Sequence, residues 1–202
     1  MTFISIEGCE GSGKTTQARI LQNKLINLGK KVVVTKEPGG SQFGEMLRGI
    51  LLSNEIKDSM TEFLLFSAAR RNHILEIKKF LVDNKIVISD RFSDSSIAYQ
   101  GYAKGVDIEK IELITQIITE KFMPAITILL DISLAVMQQR IKSSGDHDTF
   151  YDRKGIEFHT KVKNGFLEIA KRYPERIFVI NGDKSVDIVS EEIFELVQNL
   201  VI

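Results

Sequence analysis

The chain has 202 residues, 43% hydrophobic and 27% charged, which suits one well-buried soluble domain and is short for two. Its 27 basic and 27 acidic side chains cancel, so no global field draws it to nucleic acid or an anionic membrane, and a polyanionic ligand must be held by a local cluster of cations. A single cysteine, Cys9, excludes an internal disulfide framework and fits a reducing cytoplasm, three scattered histidines argue against structural zinc, and no apolar run is long enough to span a bilayer.

No internal repeat, low-complexity tract or linker interrupts the chain, so one domain is expected over residues 1–202. Residues 2–7, "TFISIE", read as the first strand. The glycine-rich segment that follows lies so close to Met1 that no signal-peptide layout is expected. Next comes a helix with Ala18, Leu21, Leu25 and Leu28 on one face, stopped by Gly29. Residues 31–35, "KVVVT", form the second strand, and a helix is expected over 42–52. A long helix opens with "SMTE", where Ser59 and Glu62 match a capping box, and runs to about Val82. The third strand is "IVIS", 86–89, followed by helices over 93–99 and 107–121. "AITILLD", 125–131, and "RIFVI", 176–180, are the last two strands, with helices over 134–142, 156–172 and 186–200. The strands are continuous apolar runs more than alternations, as in a parallel sheet covered on both faces. The βα alternation therefore predicts an α/β fold of three layers, a five-stranded parallel sheet flanked by helices, with ligands at the carboxyl ends of the strands.

Gly8–Thr15, "GCEGSGKT", satisfies G-x-x-x-x-G-K-[ST] between a predicted strand and a predicted helix, the context that makes this P-loop pattern specific. Glycines allow successive backbone N–H groups to point at phosphate oxygens, and the helix N-terminus adds partial positive charge. The nucleoside triphosphate site is thus assigned to Gly8, Cys9, Glu10, Gly11, Ser12, Gly13, Lys14, Thr15 and Thr16. Lys14 can reach the β- and γ-phosphates, and the Thr15 hydroxyl can ligate Mg²⁺. A GTP switch should also carry an N-K-x-D guanine reader near the end of a late strand, and none is present.

A second set of cations follows the second and third strands. "TKEPGGSQFGEMLR" spans 35–48, "LLFSAAR" 64–70 and "SDRFSDSSIAYQGY" 89–102. In these segments the chain resembles the bacterial thymidylate kinases, enzymes that phosphorylate dTMP with ATP, and the resemblance covers essentially the whole chain in matching order. Arg91, directly after a buried strand, places a forked guanidinium at the sheet edge, a natural grip on an acceptor monophosphate. Asp90 beside it either orients Mg²⁺ or its waters or holds Arg91 in place. The resemblance implies that Arg48 is the other acceptor-phosphate arginine, that Glu37 and Pro38 shape the acceptor site, and that Gly39 and Gly40 are turn residues. Phe66 and Arg70 share a helix face, suited to stacking a pyrimidine on the ring while the arginine donates to a base oxygen. Ser96 and Gln100 resemble the residues that meet the thymine edge, and Tyr99 the aromatic beside the sugar, where it would exclude a 2′-hydroxyl.

Residues 140–159 are rich in small and polar side chains, and the family keeps a mobile lid there, expected here at about 142–155. Glu10 occupies a P-loop position where some relatives carry arginine, and such arginine-free loops accompany a lid arginine. Arg153 is the candidate, ahead of Lys142 and Lys154, although Phe150 falls where some relatives have arginine. Arg140 either lies on the adenine or caps its own helix. The family further implies a cytoplasmic homodimer. The nearest rivals are another nucleoside monophosphate kinase, a deoxynucleoside kinase, which would need a carboxylate base for its hydroxyl acceptor, and a non-catalytic nucleotide switch.

Overall fold

The structure is a computed structural model, and it describes residues 2–53, 56, 58–143, 151 and 154–201. Five parallel strands form one sheet: β1 (Phe3–Gly8), β2 (Val32–Lys36), β3 (Ile86–Asp90), β4 (Ile126–Asp131) and β5 (Ile177–Asn181). Their spatial order is β2-β3-β1-β4-β5, so β1 is central, with Ile6 beside Asp90 of β3 and Ile128 of β4. All six residues of β1 are buried, as its apolar run requires. Each observed strand lies within one residue of its predicted ends.

Eight α-helices surround the sheet among the described residues: α1 (Lys14–Asn27), α2 (Gln42–Leu51), α3 (Ser59–Val82), α4 (Ser93–Ser96), α5 (Ile108–Thr119), α6 (Leu134–Ser143), α7 (Ile156–Arg172) and α8 (Val186–Val201). One face of the sheet packs Ile4, Ile6 and Ile128 against Leu21 and Leu25 of α1 and Val189 and Ile193 of α8. On the other face, Phe3 and Val87 meet Ile74 and Ile77 of α3. The result is the helix–sheet–helix layering expected of a P-loop NTPase-like α/β fold.

Two local expectations are corrected. The N-cap of α3 is Asp58, whose carboxylate accepts from the Thr61 backbone N–H at 2.6 Å, and not Ser59. Glu62, expected to close a capping box, instead points inward and is 3% exposed. The helix expected over 93–99 is α4 followed at once by a π-helix, Ile97–Ala103. This wider coil carries Tyr99 and Gln100 and occurs where π-turns often do, at the edge of a ligand cleft.

Candidate active site

The carboxyl ends of β1, β2 and β3 open into a cavity of about 300 Å³. Its lining brings together side chains predicted from four separate segments. Glu10, Lys14 and Thr15 come from the P-loop region, and Glu37 and Pro38 from the loop after β2. Arg48, Phe66 and Arg70 come from α2 and α3, and Asp90, Arg91, Ser96, Tyr99 and Gln100 from β3 onward. Tyr151 lines the same cavity and was not anticipated as a site residue.

The P-loop wraps as glycine permits. Gly8 has φ 144°, and a Cβ there would lie 2.6 Å from the Leu130 carbonyl oxygen on β4, so the loop can turn this tightly only without a side chain. Gly13 precedes α1 with no side-chain cap, leaving the first helical N–H groups for a ligand. Lys14 is 7% exposed, and its ammonium donates to the Cys9 carbonyl at 2.7 Å and to the Ser12 hydroxyl at 3.2 Å. Burial, assisted by the nearby Arg91 charge, pulls its pKa down to about 8. Cys9 is buried, and burial followed by the Glu10 charge pushes its thiol up to about 12, so it is not a nucleophile. Thr16 is exposed on the first turn of α1.

Thr15 donates its hydroxyl to Asp90 at 2.5 Å. The two residues expected to hold a metal are thus adjacent, with the Asp90 carboxylate bonded to Thr15 and its charge also acting on Arg91. Both offer hard oxygen ligands. No group of three or more His, Cys, Asp or Glu side chains could hold a metal among the described residues. The donor set fits a divalent ion that takes its remaining ligands from phosphates and water.

Arg91 adopts φ +74°, a conformation that costs a non-glycine residue roughly 1–3 kcal/mol and needs surrounding support. That support is Glu7, fully buried on β1. Its carboxylate accepts from the Phe92 N–H at 2.7 Å and from the Ser95 hydroxyl at 2.6 Å. Burial, then the proximity of Asp94, raises the Glu7 pKa to about 7. The Arg91 guanidinium donates to the Gly8 carbonyl at 2.9 Å, to Ser95 at 3.2 Å and to Glu10 at 3.1 Å, and lies over the Tyr99 ring, 5.1 Å from its centroid. Glu10 also accepts the Tyr99 hydroxyl at 2.6 Å. Burial opposes its charge, but His159, Arg91 and Lys14 outweigh burial and hold its pKa down at about 2. Glu10, on the P-loop, is therefore the carboxylate that orients Arg91 and Tyr99 together.

The predicted residues of α2, α3 and the π-helix are equally fixed. Arg70, 2% exposed, donates from Nε to Glu37 at 2.8 Å, from Nη1 to Ser96 at 3.0 Å and from Nη2 to the Phe92 carbonyl at 3.2 Å. Arg48 donates to the Pro38 carbonyl at 2.7 Å. Gln100 donates to Glu62 at 3.0 Å, and Glu62 also receives the Tyr151 hydroxyl at 2.8 Å and the Lys104 ammonium at 2.6 Å. Glu62 does not itself line the cavity but holds Gln100 and Tyr151, which do, and this supporting role was missed because its sequence position mimics a helix cap. The i,i+4 spacing of Gln100 and Lys104 was the available signal. Arg140 donates to the carbonyls of Gly11 and Gly182, at 3.2 and 3.0 Å, linking the P-loop to the loop after β5 instead of capping its own helix. Arg153, the lid candidate, lies outside the described residues, as do Phe150 and most of 142–155.

Comparison with known proteins agrees with this geometry. The family model for thymidylate kinase matches residues 6–193. The chain is 41% identical to the thymidylate kinase of Bacillus cytotoxicus over 201 residues, covering 98% of this chain and 97% of the relative. It is 38% identical to that of Staphylococcus haemolyticus, covering 98% of each. A crystal structure of thymidylate kinase from Ehrlichia chaffeensis superposes with TM-score 0.80 at 36% identity, covering 98% of both chains.

Proposed function

The chain belongs to the thymidylate kinase family, and we infer from this that it transfers the γ-phosphoryl group of ATP to the 5′-phosphate of dTMP, giving dTDP and ADP on the way to dTTP. The observation that carries the reading is the cavity itself, in which Lys14 and Thr15 of a P-loop share one space with Arg48, Phe66, Arg70 and Arg91. Two anionic nucleotides can meet end to end there.

The residue roles are our proposal. Gly8 to Thr16 cradle the ATP phosphates, with Lys14 on the β- and γ-groups, and Arg140 flanks the adenine. Arg91 and Arg48 grip the acceptor phosphate, shaped by Glu37 and Pro38. Phe66 stacks on thymine, Arg70, Ser96 and Gln100 meet its edge, and Tyr99 lies beside the sugar. The divalent ion is Mg²⁺, with Thr15 and Asp90 as its protein ligands; when bound it neutralises charge on the phosphates. Arg153 is the catalytic lid cation. The transition state is loose, so these groups mainly position and neutralise. No protein base is required, because the acceptor phosphate, with a second pKa of about 6, is largely ionised at neutral pH. The purified chain is expected to release ADP only when dTMP is present and to bind dTMP by calorimetry. Uptake of ATP with no binding of dTMP would end this reading.

We further propose that residues 1–202 form one catalytic domain, working in the cytoplasm as a homodimer. No helix among the described residues is long and apolar enough to cross a membrane. Phe43, Met46 and Ile50 are 41%, 69% and 48% exposed and fall at i, i+3 and i+7 on one face of α2. A solvent-facing apolar stripe of this kind suits an isologous contact. Sedimentation should give twice the chain mass, and Met46→Glu should shift it toward the single chain. A wild-type monomer at all concentrations would exclude the dimer.

A further inference from the structure

His73 lies one turn beyond Arg70 on α3 and is 1% exposed, yet phosphoryl transfer as described makes no use of it. Its two ring nitrogens are both engaged. Nε2 is 2.7 Å from the Thr35 hydroxyl, and Nδ1 is 3.0 Å from Glu37 Oε1. The other oxygen of Glu37, Oε2, accepts from Arg70 Nε at 2.8 Å. A continuous relay therefore runs Thr35–His73–Glu37–Arg70, from a half-buried hydroxyl on β2 through buried His73 and Glu37 to the guanidinium at the cavity.

The proton positions follow from Glu37. Burial opposes its charge, but Arg70 and His73 outweigh burial and hold its pKa below the ordinary carboxylate value. An ionised carboxylate only accepts, so His73 must donate from Nδ1. Nε2 is then satisfied by the Thr35 hydroxyl. With one oxygen held by His73, the carboxylate cannot rotate away from Arg70. Three of the five guanidinium N–H groups are taken by Glu37, Ser96 and Phe92, which leaves one on each Nη to face a ligand.

A second observation shows that the fold makes room for this relay. Gly40 has φ +73°, and a Cβ there would lie 2.3 Å from His73 Nε2 and 2.5 Å from Thr35 Oγ1. The second glycine of "EPGG" is thus required by the imidazole as well as by the turn.

We propose that His73 is a positioning residue for pyrimidine recognition, fixing Glu37 and through it the pose in which Arg70 reads the base. The proposal rests on the reading that Arg70 donates to a base oxygen. It is tested on the full chain with His73→Asn and His73→Gln, two polar replacements that separate the two ring nitrogens. Asparagine keeps a donor where Nδ1 stands; glutamine keeps the partner of Thr35 and loses the bond to Glu37. The readout is kcat/KM for dTMP relative to dTMP analogues lacking the 2- or the 4-oxygen, with kcat, KM for ATP and thermal midpoint measured alongside. His73→Gln is expected to raise KM for dTMP and to shrink the discrimination by about tenfold, as loss of a bond to a charged group implies, with kcat and KM for ATP nearly unchanged. His73→Asn should retain most of the discrimination. Wild-type discrimination in His73→Gln would overturn the proposal, as would a parallel loss of kcat, ATP affinity and thermal midpoint in both variants. If the wild type itself treats dTMP and both analogues alike, the reading of Arg70 falls first and the proposal with it.

Discussion

Lys14→Ala is expected to lower the rate of phosphoryl transfer by about 10²- to 10³-fold or more while the thermal midpoint stays close to that of the parent, since removing one preorganised charge at a reacting oxyanion has effects of this size. The Lys14 ammonium is held by the Cys9 carbonyl and the Ser12 hydroxyl, with burial lowering its pKa to about 8. A cation whose burial outweighs its neighbouring carboxylates is placed for an incoming anion, and alanine relieves its desolvation while buried Glu10 keeps Arg91 and the Tyr99 hydroxyl as partners. Single-turnover transfer and calorimetric melting on the same preparation check both halves. The sign of the pKa shift adds a second readout. Above about pH 8 the free protein carries a largely neutral Lys14, and triphosphate binding would restore the charge, so ATP binding should take up a proton there. Near-normal transfer by the variant, or loss of rate that merely tracks unfolding, would refute the role.

The sheet was readable because buried parallel strands carry continuous apolar runs, and a run such as "AITILLD" has no competing helical period. The P-loop was readable for a different reason, since its glycines and lysine answer to backbone geometry and a local charge, both of which are encoded within eight neighbouring residues. Glu62 marks where local patterns end. Ser59 and Glu62 have capping-box spacing, but Asp58 one residue earlier caps α3 and Glu62 bonds to groups 38, 42 and 89 residues away. Only the fold brings Gln100, Lys104 and Tyr151 to that carboxylate. The π-helix was hidden likewise, because nothing in "IAYQGYA" forbids an α-helix; in the structure Tyr99 and Gln100 are held by Glu10 and Glu62 from distant segments. The positive φ of Arg91 is the clearest case. Glycine or asparagine would have advertised it, whereas an arginine there depends on Glu7, 85 residues from the Phe92 N–H it receives.

Arg91→Ala should lower kcat/KM for dTMP by about 10²- to 10³-fold, the scale of a lost charge stabiliser. Arg91→Lys should recover little of it, because the side chain acts as a fork. In the structure one Nη meets the Gly8 carbonyl and Ser95 while the other meets Glu10, so the guanidinium ties the P-loop to α4. A lysine can satisfy one of these partners but not both edges at once. Alanine leaves Glu10 with the Tyr99 hydroxyl at 2.6 Å and His159 Nδ1 at 3.6 Å, so a buried carboxylate loses its arginine but not every neighbour. Some destabilisation is therefore expected from alanine and less from lysine, and the two variants separate chemistry from folding. If the catalytic loss is as large in the lysine variant, which keeps the charge, as in the alanine variant, geometry carries the effect. If lysine restores normal turnover, Arg91 supplies charge alone and its proposed bidentate grip on the acceptor phosphate is wrong. Adding Glu10→Gln to each variant completes the cycle: a positioning carboxylate should matter only while Arg91 is present, so its effect should largely vanish in the Arg91→Ala background.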